Sequence, residues 1–438
     1  MSRNPRFGTV PAYLQGMSDP RLPSSPGFWR SPVRGPWFTS VLGIVLLVGI
    51  TVLFVTGLLS YAAYNPNLAA VNDKTPDKGL LGFYLFSWPT DPPWLYRLTQ
   101  GVHVTLGITL IPVLLAKLWS VVPKLFALPP ARSLAHALER ISLLLLVGGA
   151  LFEFVTGVLN VQLDYLFPGS FYPLHFYGAW VFFAAFVTHA VLRVPVALRN
   201  LREMRGRGET CGSGESQGAD GGEGLVSPRP AAPTVSRRGA LGLVGGGSLL
   251  LFGTTFGRGF DGPLRRTAVL APHGGPEPGD GPGGFQINKT AAYAGITERE
   301  TRDDAWRLVV VGRAGTVRLS RADLNELPFH SASLPIACVE GWSTSDQEWR
   351  GVRLRDLAAL VGHDAPTDVL VESLQRHGAF RRAALRANQV GDARSLLALR
   401  VNGADLTPDH GYPARIIVPA APGVLNTKWV ARMTFGEL

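Results

Sequence analysis

Cysteine is almost missing from this 438-residue chain, which has two, Cys211 and Cys338, together with only four methionines. Two thiols cannot build a disulfide scaffold, and Cys211 and Cys338 lack the close spacing of a structural zinc site. Charge is also scarce, at 17% of residues. No phosphate-cradling glycine loop, hydrolase nucleophile motif or zinc spacing can be found, which removes the commonest hydrolase and nucleotide-binding readings. Nor is there an internal repeat of solenoid period. The net charge of +10 does not mark a nucleic-acid binder, because from residue 258 onward 22 Lys and Arg face 20 Asp and Glu. The excess lies in the first part of the chain, where it suits a lipid surface.

What is abundant is hydrophobic sequence, 46% of the residues, gathered into uncharged runs. Val41–Tyr61, Leu98–Ala116, Ile141–Val161 (broken by Glu153) and Phe171–Leu192 are each long enough to cross a bilayer, and a glycine-rich run, Gly239–Gly257, is a fifth. Lys and Arg fix the expected orientation. Seventeen lie before the first span, between the second and third, and between the fourth and fifth, against three on the alternate side (Lys74, Lys78 and Arg97). The N-terminus is therefore expected in the cytoplasm, and the residues after the fifth span outside it.

The segments predict a cytoplasmic tail at 1–36, a four-span α-helical domain at 37–200 and a Gly, Ser and Pro-rich linker at 201–238. The fifth span follows at 239–257, a stalk at 258–284 containing the Pro and Gly-rich Gly274–Gly284, and an external domain of mixed α+β composition at 285–438. The fifth span opens on Arg237 and Arg238 in SRRGALGLVGGG, which resembles a twin-arginine signal for exporting folded domains. Two arginines also simply anchor spans. If the export reading holds, the last domain is assembled before it crosses, and an inserted cofactor is the usual reason.

Within the fourth run, His175 and His189 are fourteen residues apart. At 1.5 Å and 100° per residue they lie about 21 Å apart along a helix and within about 40° of one face. Histidine in hydrocarbon is costly and points to function, although a hydrogen bond to another helix also satisfies it. Glu153, between Phe152 and Phe154, either carries protons for a membrane quinone or bonds a neighbour such as Thr156.

The span set resembles the cytochrome b subunits of formate dehydrogenases and hydrogenases, in which four spans carry two haems and one helix supplies two histidines at this spacing. The resemblance implies an outer haem on His103 and His175. An inner haem is implied on His136 and His189, with His136 replacing a first-span histidine that this chain lacks; a single outer haem is the alternative.

Cys338 lies in LPIACVEGW, between a strand-like apolar stretch and the amphipathic Leu354–Val361. The two thiols fall on opposite sides of the expected membrane and cannot pair. By itself a lone cysteine is a small buried hydrophobe more often than a ligand. However, CVEGW with WRGVRLRDL, HGYPARIIVP and NTKWV resembles the sulfite-oxidase fold of molybdenum enzymes over about residues 285–438, and within it the bacterial branch that includes the methionine-sulfoxide reductase catalytic subunit. The resemblance implies that Cys338 ligates molybdenum beside one molybdopterin, a role suited to a soft thiolate. It further implies cofactor contacts from Asn288, Ser373, His410, Arg415, Asn426, Thr427 and Lys428, the last four holding the phosphate. Ala291 and Ala292 replace a tyrosine and glutamate of that branch, so its substrate does not carry over.

The expected protein is thus a multi-domain membrane oxidoreductase of Mo-molybdopterin and one or two b haems, set in a bacterial cytoplasmic membrane. It would exchange electrons with a membrane quinone and take oxygen from a sulfoxide-like small molecule or protein side chain. Reverse flow, as a sulfite-type oxidase, and a cofactor-less binding module on a membrane anchor are the alternatives. Arg376, Arg381, Arg382 and Arg386 form either an anion pocket favouring sulfite or a solvated face.

Overall fold

The computed structural model describes residues 22–25, 27–73, 75–76, 86–126, 134–161, 171–207, 225–227, 229–260, 262–271, 279, 281–376 and 380–438. Cys211, with residues 208–224 of the expected linker and 272–278 of the expected stalk, lies outside the described residues. The apolar runs form five helices: α1 (Pro36–Ala62), α2 (Leu95–Leu125), α3 (Leu134–Asn160), α4 (Tyr172–Arg207) and α5 (Arg237–Gly253). Each includes a stretch long and apolar enough to cross a membrane. Their outward surfaces carry Val48, Val55, Leu115, Leu144, Val191 and Leu249 exposed, the pattern of helices whose solvent is lipid.

By compactness the chain forms two units. The first holds residues 1–51, 109–154 and 178–250, with part of each of α1–α4 and nearly all of α5. The second holds Val52–Ile108, Val155–Tyr177 and Leu251–Leu438. The C-terminal end of α1, the beginning of α2, the end of α3 and the first residues of α4 therefore belong to one body with the C-terminal domain.

In that body, β1 (Leu308–Gly312) and β2 (Gly315–Leu319) form a hairpin, after which come a short helix α6 (Arg321–Glu326), β3 (His330–Leu334) and β4 (Gln347–Arg353). Then follow α7 (Leu354–Leu360), β5 (Val369–Ser373), β6 (Arg382–Leu385), α8 (Ala387–Gly391), β7 (Leu396–Val401), β8 (Ala404–Asp405), β9 (Arg415–Ile417) and β10 (Val430–Phe435). One sheet runs β2-β1-β10-β5-β6, with β1 and β10 parallel; the other runs β3-β4-β7-β8, with β9 on β7. Period-two burial in β1, β5 and β4 puts one side of each strand into the core. Leu308, Val310, Leu357, Val371, Leu397, Leu399, Ile416 and Met433 are completely enclosed there. A buried leucine in such a cluster stabilises by about 2–5 kcal/mol relative to alanine. Helix α6 begins at Ser320, which accepts from Asp323 N while the Asp323 carboxylate returns to Ser320 N.

Polar and aromatic contacts tie the helix ends to the sheets within the second unit. Asn65, in the loop after α1, donates to Gln389 Oε1 (2.8 Å) and Ala384 O (3.1 Å). Trp88 Nε1 donates to Ala420 O at 2.7 Å, and Gln100 of α2 donates to Val339 O. Ala62, Ala63, Tyr64, Trp88 and Tyr96 share a buried cluster with Ala337.

Candidate functional site

Cys338 sits on a short hairpin between β3 and β4. Cys338 N donates to Trp342 O at 2.8 Å and Gly341 N returns to Cys338 O at 3.0 Å, closing a turn that needs Gly341 at φ 85°. Thr344 braces its base, accepting from Ile336 N through Oγ1 and donating its own N–H to Ile336 O. Trp342 Nε1 donates to Glu340 Oε2 at 2.7 Å. The thiol is buried, and desolvation together with the nearby Glu340 carboxylate pushes it up, while the N–H groups of Glu340 and Val339 and the charge of Lys428 act the other way. A metal bonded to sulfur would supply the charge that this surrounding only partly provides.

The second part of the site comes from β9 and the loop that leads to β10. Gly411, at φ 109°, lets the chain turn where a Cβ would lie 3.1 Å from the Cβ atoms of both Arg415 and Lys428. Arg415 is buried; its Nη1 donates to His410 O (3.0 Å), its Nη2 to Asn426 O (3.3 Å), and its guanidinium lies 5.1 Å from the Trp349 ring. Lys428 Nζ donates to Lys289 O (2.5 Å) and Asp409 O (2.9 Å). Burial pushes Arg415 down to about 9. Burial also holds Lys428 well below the usual ammonium range, and the charges of Arg415 and Lys289 lower it further.

Arg415 and Lys289 both act on the buried Lys428, and Asp409 offsets them only in part, so the group is unfavourable unless a further anion completes it. Two atoms fit that role: Arg415 Nε and Thr427 Oγ1 are buried with no hydrogen-bond partner among the described residues. A phosphate's acceptor oxygens and negative charge would satisfy both.

Not every expected contact reaches outward. Ser373 Oγ donates to Lys428 O (2.7 Å) and accepts from Gln375 N, so it fixes the lysine's backbone. Asn426 Oδ1 accepts from Val418 N at 2.9 Å. His410 stacks on Phe285, with centroids 3.8 Å apart, and its Nε2 pairs with Gly283 O at 2.9 Å. Burial drives the ring down to about 4, and it forms a neutral wall behind Arg415. Asn288 is half-buried beside Lys289. Sequence reasoning missed Lys289 and Gln286; the latter is buried with both amide atoms unpaired among the described residues. The only signal was their place beside Asn288 in FQINK. The four arginines do not converge: Arg376 pairs with Glu300, Arg381 with Asp73 (3.6 Å) and Arg386 with Asp368 (3.6 Å), while Arg382 is exposed.

A separate pair of histidines lies in the same unit. His103 and His175 have ring centroids 6.1 Å apart, with planes at 86°. Two imidazoles that shared one metal ion, each at about 2 Å with roughly 1.1 Å more to its ring centre, would have ring centres about 6 Å apart. His103 Nδ1 contacts Leu53 O (3.0 Å) and Thr56 Oγ1 (3.1 Å). A carbonyl only accepts, so Nδ1 carries the proton and Nε2 the lone pair, the tautomer a metal needs. His175 Nδ1 meets Thr156 Oγ1 at 3.0 Å. Among the described residues no three His, Cys, Asp or Glu gather as a bare-ion site. Two imidazoles alone suit an iron whose remaining positions a macrocycle fills. His189 lies on α4 in the first unit, and the His136 side chain lies outside the described residues.

The model of the oxidoreductase molybdopterin binding domain matches residues 294–437. Mitochondrial sulfite oxidase of Rattus norvegicus is 32% identical over 158 residues, 30% of this chain and 29% of that protein. The uncharacterized oxidoreductase YuiH of Bacillus subtilis is 30% identical over 131 residues, 30% of this chain and 65% of that one. Among solved structures, the sulfane dehydrogenase SoxCD of Paracoccus pantotrophus aligns with a TM-score of 0.29 and 22% identity, over 31% of this chain and 39% of that one. The chain spans about three-tenths of the length of the sulfite oxidases it matches.

Proposed function

We propose that the C-terminal part of the chain, which matches the oxidoreductase molybdopterin binding domain over residues 294–437 and resembles sulfite oxidases, is the molybdenum domain of a membrane-bound enzyme. In this reading the five helices cross a bacterial cytoplasmic membrane with the N-terminus inside, α1–α4 act as a cytochrome b, and the molybdenum domain works outside. The enzyme couples the quinone pool to oxygen-atom removal from a sulfoxide-like small molecule or protein side chain, as in the branch containing the methionine-sulfoxide reductase catalytic subunit. When bound, molybdopterin's metal exchanges an oxygen atom and two electrons with substrate, and b haem exchanges single electrons.

The residues divide the work. Cys338 ligates the metal, while Arg415, Lys428, Lys289 and Thr427 receive the phosphate. His410 closes the back of that pocket as an uncharged wall. His103 and His175 hold the haem. Glu153, buried in α3 where Gly178 of α4 leaves room for its carboxyl, serves proton exchange with quinone.

One observation carries the reading. The α2 segment bearing His103 also touches the cysteine hairpin, because Gln100 donates to Val339 O and Val104 lies where a Cβ on Gly341 would come within 2.9 Å. The iron ligand and the molybdenum ligand are thus at two ends of one packed contact.

Sulfite oxidation with reversed flow is favoured by the named relatives. The separate ion pairs of Arg376, Arg381 and Arg386 weigh against an anion pocket there, and support a neutral sulfoxide. An optical titration of membranes tests the choice. Quinol-reduced haem reoxidised by a sulfoxide supports the proposal; haem reduction by sulfite would reverse it, and indifference to both would remove it. Molybdenum near one per chain separates an enzyme from a cofactor-less binding module.

A further inference from the structure

The histidine contacts expose a repeat that is easily overlooked in the sequence. Phe54-Val55-Thr56-Gly57-Leu58-Leu59 of α1 recurs as Phe154-Val155-Thr156-Gly157-Val158-Leu159 of α3. Each copy faces one of the paired histidines in the same way. The threonine hydroxyls meet Nδ1 of His103 (3.1 Å) and of His175 (3.0 Å). The glycines lie under the same rings: a Cβ at Gly57 would fall 3.1 Å from His103 Cε1, and one at Gly157 3.4 Å from His175 Cε1. Both threonines are buried. In α1 the Thr56 hydroxyl donates to Val52 O (2.8 Å), which leaves its lone pairs for the ring N–H. One hairpin of helices therefore repeats the other, with threonine-glycine near the end of the first helix and histidine near the start of the second.

We infer that the two Thr-Gly pairs are positioning elements for a single haem per chain, one axial ligand coming from each hairpin. The inference rests on the haem reading above. Each threonine holds its imidazole's rotation, with Leu53 O fixing the tautomer of His103, and glycine gives the ring its place against the neighbouring helix. The same repeat speaks against a second haem. His189 follows His175 by fourteen residues, and fourteen residues after His103 stands Lys117, whose Nζ donates to Thr39 O at 2.7 Å. At the matching sequence position the second hairpin has an imidazole and the first an ammonium, which is no iron ligand while protonated.

The test uses the full chain in native membranes, with haem counted by the reduced-minus-oxidised spectrum and by extraction, and molybdenum by elemental analysis. We expect one haem per molybdenum. Gly57→Leu loses most of the haem, at least fivefold, while keeping its molybdenum and its membrane level. Thr156→Val retains haem but moves its midpoint potential upward, since a ring N–H that loses an acceptor gives a less electron-rich ligand, and Thr56→Val moves it less because Leu53 O still accepts from His103 Nδ1; Thr51→Val, on the same helix and bonded to Leu47 O, leaves it unmoved. His189→Ala keeps full haem. A wild-type chain without b-type haem sinks the cytochrome reading itself. If wild type holds haem and His103→Ala loses it, yet the glycine and threonine variants keep wild-type content and potential, the cradle alone is refuted. Two haems per chain, or haem loss in His189→Ala, refutes the single site.

Discussion

Replacing Arg415 by glutamine has opposite consequences with and without cofactor. In the protein without molybdopterin, Arg415 is a buried cation that burial lowers from 12.5 to about 9, which corresponds to about 5 kcal/mol of unfavourable charge burial at neutral pH. Its donors reach two carbonyls, those of His410 and Asn426, and losing them costs about 1–3 kcal/mol per carbonyl left unsatisfied. The two terms are of similar size, and glutamine retains one donor. The cofactor-free Arg415→Gln protein is therefore expected to unfold at the same temperature as its parent or a few degrees higher. With cofactor the sign reverses. A charge-assisted bond to phosphate is worth roughly 1.5–3 kcal/mol, so retention falls about 10- to 150-fold. Full-length protein made in hosts with and without molybdopterin synthesis supplies both states; fluorescence of the buried Trp342, Trp349 and Trp429 follows unfolding, and elemental molybdenum follows retention. Equal destabilisation of both states would show a structural arginine and refute the anion-receptor argument.

Three further outcomes follow from the same geometry. On the proposed function, Cys338→Ser should abolish oxygen-atom transfer by several orders of magnitude while the proposed haem's spectrum and the fold persist, because a hydroxyl is neither soft nor deprotonated at neutral pH; residual turnover above a tenth would dismiss the thiolate's role. His410 titrates near 4 when folded and near 6.5 when unfolded, so between those values only the unfolded chain gains the proton. Stability should then fall by about 1.4 kcal/mol per pH unit as pH drops through that window, and His410→Gln should flatten this part of the curve; an unchanged slope in the variant would contradict the burial argument. Asn65→Ala removes the donor to Gln389 and Ala384, and limited proteolysis should release the C-terminal domain severalfold faster than in wild type; wild-type kinetics would mean that the bond does not fasten the domain.

Much of this was legible in sequence because its signals are local. The five apolar runs needed only length, and each became a helix. Cys338, Arg415 and Lys428 were found through short motifs, and the fold brings them within electrostatic reach. What stayed hidden depends on distant pairs. Lys289 joins the cation cluster because its carbonyl accepts from Lys428, 139 positions away. Ser373, expected to touch the cofactor, serves Lys428's backbone instead, a choice set by the register of β5 against β10. The Phe-Val-Thr-Gly repeat was visible as letters, but its meaning required seeing which histidine each copy faces. Arg376 and Arg386 looked like a cluster by proximity in sequence, yet each found a separate carboxylate.

The boundary between the compact units differs from a division by composition. Composition changes at the end of an apolar run, whereas packing changes partway along each helix, near Val52, Ile108, Val155 and Tyr177. The stretches assigned to the C-terminal body are those that carry Thr56, His103, Thr156 and His175. Tyr61 stacks on Phe176 at 4.1 Å and Tyr64 lies 5.0 Å from Tyr172, so α1 and α4 are clamped beside His175 by rings rather than by loops. A histidine pair rigidly packed with the cysteine hairpin keeps its separation from the thiol fixed, whereas a domain on a flexible tether would not. On the proposed function, a change that loosens that packing without straining the turn, such as Gln100→Ala, which removes the donor to Val339 O, should slow electron exchange between the two proposed centres while the spectrum of each persists.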